Sequence, residues 1–397
     1  MLLVDMLPVD RIASLRPTAV NAILAEVREL QAKGADLVSL MRGEPDLPTP
    51  AHIVEACTQA LHAGRTGYPD NRGEKNLREA VALKLRRDNG LAYDPATEIL
   101  ATTGATFGIH AALTAILQEG GEVLLPDPVY DAYYSPIRLA GGMPRAVRAE
   151  IWGGRFHMPD GALDEAWTPS VQAMILNTPW NPVGTVFTQA ELERIGEFCL
   201  RRKITLISDE IYETILFDGH RHISPLAAVP ELRESAVYVN SLSKTYSMTG
   251  WRVGYCAGPA AIIQRMFMVL AQSSRGPSTF VQDAAAVALA GSQDCVESMR
   301  LEYAARRQTV LDALSGIPGV DVLAPEGGFF AMVDVRGLGQ TSDAVRRRLL
   351  HDFGVVVAHG SAYGDAGEGT LRVSFASGGE TLRKGLVRLR DGLAHRP

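Results

Sequence analysis

Cysteine is scarce in this sequence, and its four copies form no recognisable pair. None belongs to a Cys-x-x-Cys motif, and they are scattered over the 397 residues at Cys57, Cys199, Cys256 and Cys295. Structural metal sites and disulfide frameworks need cysteines at short, regular spacing. The pattern therefore predicts buried free thiols in a reducing compartment, and no metal site.

Long apolar runs and an excess of positive charge are also missing. No window approaches the ~18 uncharged apolar residues that a membrane-spanning helix needs. Asp5 interrupts the apolar start that a secretory segment would require. The formal net charge is −6, so no basic surface indicates nucleic acid. We expect a cytoplasmic protein that binds neither membranes nor nucleic acid.

The sequence does contain a regular alternation of strand and helix patterns. From residue 98 onward, short apolar runs are each followed by a turn and then by a helical pattern. This rhythm predicts an α/β fold with a mostly parallel sheet. It stops where two successive helices are predicted over 279–315, which places a domain boundary near residue 290. A chain of this length is expected to form two domains.

The segment 241–255, Ser-Leu-Ser-Lys-Thr-Tyr-Ser-Met-Thr-Gly-Trp-Arg-Val-Gly-Tyr, concentrates reactive groups around one lysine. Lys244 follows an apolar run that predicts a buried strand, and Ser241, Ser243 and Arg252 flank it. An amine among hydroxyls and a guanidinium suits covalent chemistry on a carbonyl next to an anion. The alternative is a solvated surface lysine, as most lysines are.

Two other chemistries use a lysine beside a hydroxyl. A nucleotide-type phosphate loop needs Gly-x-x-x-x-Gly-Lys before the hydroxyl, and this sequence lacks it. Ser241-x-x-Lys244 matches the first element of a serine acyl-enzyme, whose other elements are Ser-Asp-Asn and Lys-Thr-Gly. The chain offers only Ser208-Asp209-Glu210 and Lys244-Thr245-Tyr246, so this match is weak.

Polar residues follow several predicted strands, where α/β folds gather their ligands. Gly104, Ala105 and Thr106 begin a helix whose backbone N–H groups can bind a phosphate. Asn181 opens Asn-Pro-Val-Gly, which by composition is also a plain turn. Asp209 leaves a buried strand, where its charge needs a cationic partner unless it only caps a helix.

Arg372 lies in the last predicted strand, on the face opposite Leu371, Val373 and Phe375. Such an arginine is either solvated or available to a ligand. A planar guanidinium binds a carboxylate through two parallel hydrogen bonds.

Together these segments resemble the class I/II aminotransferases, fold type I pyridoxal-phosphate enzymes related to aspartate aminotransferase. The matching segments occur in family order: 43–46, 66–73, 102–106, 126–130, 181–184, 209–212, 241–255 and 371–376. The resemblance implies a mostly parallel, seven-stranded sheet flanked by helices in a large domain of residues 48–290. It also implies a smaller α+β domain formed by both chain ends, with an arm and part of that domain in 1–47 and the rest in 291–397.

The resemblance implies a bound pyridoxal 5′-phosphate. Lys244 would hold it as a Schiff base and move the proton, while Asp209 would keep its ring nitrogen protonated. Tyr130 would stack on the ring, with Tyr133 and Tyr134 as nearby alternatives.

The same resemblance assigns the remaining contacts of the cofactor. Asn181 and Tyr212 would bind its phenolate oxygen, and the phosphate would contact Gly104, Ala105, Thr106, Ser241, Ser243, Arg252 and the partner's Tyr68. The catalytic residues would be Lys244, Asp209 and Tyr212. Since Tyr68 would serve the other subunit, the resemblance implies a homodimer with shared active sites.

The implied reaction moves the amino group of an L-amino acid to a 2-oxo acid in two ping-pong half-reactions. Gly43, Asn181 and Arg372 would bind the substrate carboxylate. The alternative is another reaction on the same cofactor, such as β-elimination, decarboxylation or oxidation, because fold does not fix reaction. No family role falls on Arg16, Arg42 or Arg275, which remain candidates for reading the substrate side chain.

Overall fold

The computed structural model describes residue 15 and residues 17–395. Arg16 lies outside the described residues. Within this part the α-helices are α1 Ala19–Ala32, α2 Ala51–His62, α3 Lys75–Asn89, α4 Ala105–Ile116, α5 Tyr134–Leu139, α6 Ala162–Ala166, α7 Gln189–Arg202, α8 Pro225–Ala228, α9 Leu242–Thr245, α10 Ala260–Ala271, α11 Thr279–Ala290, α12 Asp294–Leu314, α13 Ser342–Phe353 and α14 Gly379–Ala394. Among the described residues, no helix has the length and apolar character that crossing a membrane requires.

The strands form one large sheet, one smaller sheet and two short pairs. Their bounds are β1 Val38–Ser39, β2 Ile99–Thr102, β3 Glu122–Asp127, β4 Met143–Arg148, β5 Glu150–Trp152, β6 Arg155–His157, β7 Val171–Asn177, β8 Thr205–Asp209, β9 Ala236–Ser241, β10 Gly254–Ala257, β11 Asp321–Leu323, β12 Phe330–Asp334, β13 Val355–Val356, β14 Ala358–His359 and β15 Thr370–Ser374.

The large sheet has seven strands in the order β2-β10-β9-β8-β7-β3-β4. All neighbours run parallel except β10, which is antiparallel to both β2 and β9. Successive residues of β7 and β8 alternate between two apolar cores: Leu176 and Leu206 join one, and Ile175 and Ile207 join the other. Burial on both faces explains why these strands are continuous apolar runs. The predicted α/β fold with a mostly parallel seven-stranded sheet is confirmed.

This strand arrangement determines where polar side chains gather. Because β2, β3, β7, β8 and β9 all run in one direction, their carboxyl ends lie at the same edge of the sheet. The residues that follow those ends therefore converge, although they are far apart in sequence.

The smaller sheet is antiparallel, in the order β11-β12-β15-β14. Near it, β1 pairs with β13 in parallel, with Val38 opposite Val355, so an early segment joins the last third of the chain. The backbone N–H of Ser374 donates to the carbonyl of Leu40 at 2.7 Å. Residues 40–44 are thereby held beside β15, the strand that carries Arg372.

Three local features can be compared with the sequence pattern. The short apolar segment 36–41 predicts a strand, but only Val38 and Ser39 form one, as β1. The hairpin of β5 and β6 was not expected, although its turn residues Gly153 and Gly154 have φ of 61° and 79°, the left-handed conformation that suits a two-residue hairpin. The sequence Thr188-Gln-Ala-Glu191 predicts a capping box, and both of its hydrogen bonds are present at the start of α7.

Candidate active site

A cavity of about 1000 Å³ lies where the carboxyl edge of the large sheet meets the segment 39–44 and β15. It collects twelve of the fourteen site residues predicted from the sequence. They are Gly43, Ala105, Thr106, Tyr130, Asn181, Asp209, Tyr212, Ser241, Ser243, Lys244, Arg252 and Arg372. The remaining two are Gly104, which precedes Ala105 and lies against Arg252, and Tyr68, and neither lines the cavity.

Lys244 enters the cavity from α9, the single helical turn that follows β9. Ser241 caps that turn by accepting a hydrogen bond from the N–H of Ser243 at 3.4 Å. The Lys244 Nζ donates to the carbonyl oxygen of Gly43 at 2.6 Å. Burial lowers the pKa of Lys244 to about 8, against an ordinary value of 10.5. A much larger share of neutral amine, the nucleophilic form, is therefore present near neutral pH.

Asp209 ends β8 and is buried, with 2% of its surface exposed. Its Oδ2 accepts a hydrogen bond from the Tyr133 hydroxyl at 2.5 Å, and its Oδ1 accepts from the N–H of Ile211 at 3.4 Å. Burial raises the pKa of Asp209 to about 6, although both hydrogen bonds oppose that rise. A carboxylate in this setting is suited to a cationic or proton-bearing ligand atom.

The start of α4 has the features that an anion-binding site needs. Gly104 precedes the helix with φ of 90°, and a Cβ built there would lie 2.7 Å from Nη2 of Arg252. Arg252 donates from Nη1 to the carbonyl of Thr249 at 2.9 Å and from Nη2 to that of Thr103 at 3.4 Å. The helix start and this guanidinium provide the charge and the N–H groups that a phosphate needs.

Arg372 lies between two aromatic rings, with its guanidinium carbon 4.2 Å from the ring centre of Phe330 and 4.7 Å from that of Tyr363. Its Nη1 donates to Oδ1 of Asn181 at 3.4 Å, and its Nη2 donates to the carbonyl of Met41 at 3.0 Å. The Nε is buried and has no hydrogen-bond partner among the described residues. The guanidinium is thus fixed in orientation and retains a donor for a bound carboxylate.

The aromatic side chains of the site pack edge to face. Tyr130 meets Tyr133 with ring centres 5.4 Å apart at 86°, and Tyr212 meets Phe329 at the same distance and angle. Asn181 is held by a hydrogen bond from its own N–H to Oδ1 of Asn177 at 2.8 Å. These contacts fix the walls of the cavity before any ligand enters.

The three arginines without an assigned role differ in position. Arg16 lies outside the described residues. Arg42 lines the cavity, but its Nε and Nη2 donate to Oε1 of Glu44 at 2.9 and 2.5 Å. Arg275 does not line the cavity and instead lies over the ring of Tyr68, 5.6 Å from its centre. Tyr68 itself is 89% exposed.

Sequence reasoning missed the contact between Tyr133 and Asp209, and it gave no role to Glu44 or Thr249. Tyr133 was only an alternative ring for stacking. The available signal was its spacing, because the turn 131–133 places it three residues after Tyr130 on a 3₁₀ helix. Glu44 also accepts from the Thr249 hydroxyl at 3.1 Å, which ties the Gly43 segment to the lysine segment.

Pyridoxal phosphate fits the donor set of this cavity. At one side the cavity has a helix start beside a guanidinium. It also has a buried carboxyl without a cationic hydrogen-bond partner among the described residues, and an amine of lowered pKa. A phosphate, a ring nitrogen and an aldehyde are the groups that these three features suit.

Comparison with known proteins agrees with this chemistry. The family model of aminotransferase class I and II matches residues 35–389. The aspartate aminotransferase of Geobacillus stearothermophilus is 36% identical over 384 residues, 96% of this chain and 97% of that protein. The probable aspartate/prephenate aminotransferase of Aquifex aeolicus is 38% identical over 389 residues, 97% of this chain and 98% of that protein. The crystal structure of the aspartate aminotransferase from Rhizobium meliloti superposes with a TM-score of 0.94 at 32% identity and covers 98% of both chains.

These matches confirm the predicted family, cofactor and reaction, and the acyl-enzyme alternative is set aside. The chain belongs to the class I and II aminotransferases, pyridoxal-phosphate-dependent enzymes that transfer an amino group from an amino acid to a 2-oxo acid.

Proposed function

We propose that the cavity between the large sheet and β15 is the active site of this aminotransferase. Lys244 is the residue that moves the proton of the substrate α-carbon. The observation that carries the proposal is the amine itself. Its pKa is lowered to about 8, and it shares one cavity with the buried Asp209 and with Arg372. A nucleophilic amine, an acid for the cofactor's ring nitrogen and an arginine for the substrate carboxylate are groups that amino-group transfer on pyridoxal phosphate would use.

Arg372 binds the α-carboxylate of the substrate. Its buried, unpartnered Nε and its fixed orientation between Phe330 and Tyr363 support this role. Asn181, 3.4 Å from Nη1, and the backbone of Gly43 complete the clamp. Hydrogen bonds to charged groups contribute about 1.5–3 kcal/mol each, so this anchor orients the α-carbon as well as binding it.

Other residues of the cavity would contact the cofactor. The phosphate would be held at the start of α4 by Gly104, Ala105 and Thr106, together with Ser241, Ser243 and Arg252. Asp209 would hold a proton at the ring nitrogen, Tyr130 would stack on the ring, and Asn181 and Tyr212 would bind the phenolate oxygen. When bound, pyridoxal phosphate supplies an electron sink for the bond electrons at the substrate's α-carbon.

Lys244 then acts through its Nζ as acid and base. Above a pH of about 8 the free amine is mostly neutral and accepts the proton of the α-carbon. The carbonyl oxygen of Gly43, which accepts its hydrogen bond at 2.6 Å, keeps the Nζ at the substrate end of the cavity.

The working unit is a homodimer with shared sites. Tyr68 is 89% exposed and lies outside the cavity of its own chain, which supports a contact with the phosphate in the partner. Two variants test this idea, since Lys244→Ala chains carry an intact Tyr68 and Tyr68→Ala chains carry an intact lysine. Mixed dimers should regain activity above either parent, and no gain on mixing would contradict shared sites.

The domain division and the compartment are also proposals. Residues 48–290 form the large domain, and residues 1–47 and 291–397 form the arm and the small domain. The pairing of β1 with β13 supports joining both chain ends in one domain. The four free cysteines suit a reducing cytoplasm.

A panel of amino donors, assayed with 2-oxoglutarate and with pyruvate, tests the proposed function. Aspartate and the aromatic amino acids come first as donors, and prephenate is added as a third acceptor, because relatives carry those names. We expect stoichiometric formation of a new amino acid and a new 2-oxo acid, and no turnover by Lys244→Ala. Release of ammonia or peroxide without a new amino acid would instead indicate elimination or oxidation on the same cofactor.

A further inference from the structure

A buried polar network lies behind the active site, outside the cavity. Its centre is Glu213, whose side chain is 6% exposed. The Glu213 carboxylate accepts hydrogen bonds from Lys84 Nζ, from Asn89 Nδ2 at 2.7 Å, from Asn240 Nδ2 at 2.7 Å and from the Tyr238 hydroxyl at 3.1 Å. None of these five residues lines the cavity.

The network joins three segments of the chain: α3, β9 and the turn after β8. Lys84 and Asn89 belong to α3, whereas Tyr238 and Asn240 belong to β9. Glu213 stands in the turn after β8. Two of these segments continue directly into the site, since Tyr212 precedes Glu213 and Ser241 follows Asn240.

Asn240 links Glu213 to the segment that carries Lys244. Its Oδ1 accepts the N–H of Ser241 at 2.7 Å, which fixes the backbone at the exit of β9. Thr214 follows Glu213 and Thr245 follows Lys244, and the hydroxyls of these two threonines lie 3.1 Å apart. The neighbours of Tyr212 are therefore tied at two points to the neighbours of Lys244.

Stability alone does not account for this arrangement. Buried ion pairs are often no more stabilising than apolar residues of the same volume. Burial raises the pKa of Glu213, but Lys84, His222 and hydrogen bonds outweigh it, so the pKa is lowered and the carboxylate stays charged. Ligand atoms of Glu210 and His222 also lie within 4.8 Å, yet Lys84 already supplies the cation that Glu213 needs. A charged, fully bonded centre defines one geometry where an apolar core would tolerate several.

We propose that Glu213, together with Lys84 and Asn240, is a positioning centre that sets Lys244 relative to Tyr212 and Asp209. The inference rests on the proposed function of Lys244, because the geometry matters only if that amine reacts. None of the three residues touches the reacting atoms, so each acts through the segments it holds.

Two variants break the network without leaving an unpaired charge. Asn240→Ala removes the link between Glu213 and Ser241. Lys84→Met combined with Glu213→Met replaces the ion pair by apolar side chains of similar length. Arg346→Met is the control, because it removes a buried guanidinium that pairs with the partly exposed Glu26 and Asp343, and none of these three residues lines the cavity.

The first measurement is steady-state kinetics of cofactor-saturated enzyme with a good donor. We expect kcat to fall about 10- to 100-fold in both network variants while KM changes little, because small misplacement of reacting groups has effects of this size. Arg346→Met should also lower the melting temperature, but with kcat unchanged.

The second measurement needs no catalysis. Peptide-resolved labelling of the apoenzyme with an amine-acylating reagent, followed over pH, reports the pKa of Lys244. We expect the wild-type midpoint near 8 and a higher one in both network variants, as the amine becomes better solvated. Folded network variants with wild-type kcat and an unchanged midpoint would overturn the proposal. A wild-type enzyme that transfers no amino group would refute the proposed function instead, and the labelling would still test the positioning.

Discussion

The Tyr133 hydroxyl donates a hydrogen bond to Oδ2 of Asp209 across 2.5 Å, and both side chains are buried. The bond occupies one carboxylate oxygen and leaves Oδ1 with a single backbone donor at 3.4 Å. It also lowers the pKa of Asp209, which burial otherwise raises. Tyr133 therefore controls how much of this carboxylate is ionised near neutral pH.

Replacing Tyr133 by phenylalanine tests that control. We expect the pKa of Asp209 to rise further, because burial would then act without the hydrogen bond. The acidic limb of the pH profile of kcat/KM should move to higher pH. Tyr134→Phe is the control, since its hydroxyl makes no hydrogen bond to Asp209 among the described contacts. Identical profiles for wild type and Tyr133→Phe would contradict the assignment.

Asp209 also makes the stability of the apoenzyme depend on pH. Its pKa is about 6 when folded against an ordinary 3.8, so the folded state holds the proton more tightly than the unfolded chain. This group therefore stabilises the fold below pH 4, and that contribution, about 3 kcal/mol, is lost as the pH rises to 6. Asp209→Asn should lack this loss and be the more stable apoenzyme at pH 8 in urea unfolding. With cofactor bound, the wild type should be more stable than Asp209→Asn. Turnover by the variant should fall by orders of magnitude. An apoenzyme variant less stable than wild type at pH 8 would count against the raised pKa.

Removing the amine should separate binding from chemistry. Lys244→Ala should abolish turnover, because no other described side chain in the cavity is an amine. The phosphate contacts and Asp209 remain, so the variant should still bind cofactor, and dialysis should remove it more readily than from wild type. Retention of wild-type activity would show that another residue moves the proton.

Capture of the cofactor by the apoenzyme should follow the titration of the same amine. Burial lowers the pKa of Lys244 to about 8, so the neutral nucleophile predominates above pH 8 and not only above its ordinary 10.5. The rate of covalent reconstitution should therefore rise with pH and level off above about 8. Stopped-flow absorbance at fixed cofactor concentration measures it. A rate that keeps rising to pH 10 would mean that the amine is solvated in solution.

Arg372 should be more than a positive charge. Arg372→Lys keeps the charge but loses the fork that Phe330 and Tyr363 hold in place, so kcat/KM for amino donors should fall about 10- to 100-fold, mostly through KM. Arg42→Lys is the control, because Glu44 already pairs with Arg42. Equal effects of the two substitutions would contradict the proposal that Arg372 binds the substrate carboxylate.

The sequence allowed much of the site to be predicted, because its parts lie at strand ends. Asp209, Asn181 and Lys244 each follow an apolar run, and parallel strands bring their carboxyl ends to one edge. Arg372 was identified by facing away from the apolar side of its strand. These signals are local, so they can be read without knowing the fold.

The remaining contacts depend on distances that only the folded chain defines. Lys84 and Glu213 are 129 residues apart, and each is a charged residue type that is usually found on the protein surface. Tyr133 was recognised as an aromatic near the ring, but the direction of its hydroxyl depends on how the turn 131–133 packs against β8. No periodicity records either relationship.

The bond between Arg372 and the carbonyl of Met41 spans 331 residues of chain. During synthesis the seven strands of the large sheet and Lys244 are complete at Ala257, whereas β15 is made about 10 s later at typical elongation rates. Lys244 and the start of α4 are therefore synthesised well before Arg372. The residue proposed to bind the amino acid is added to the chain after those proposed to bind the cofactor.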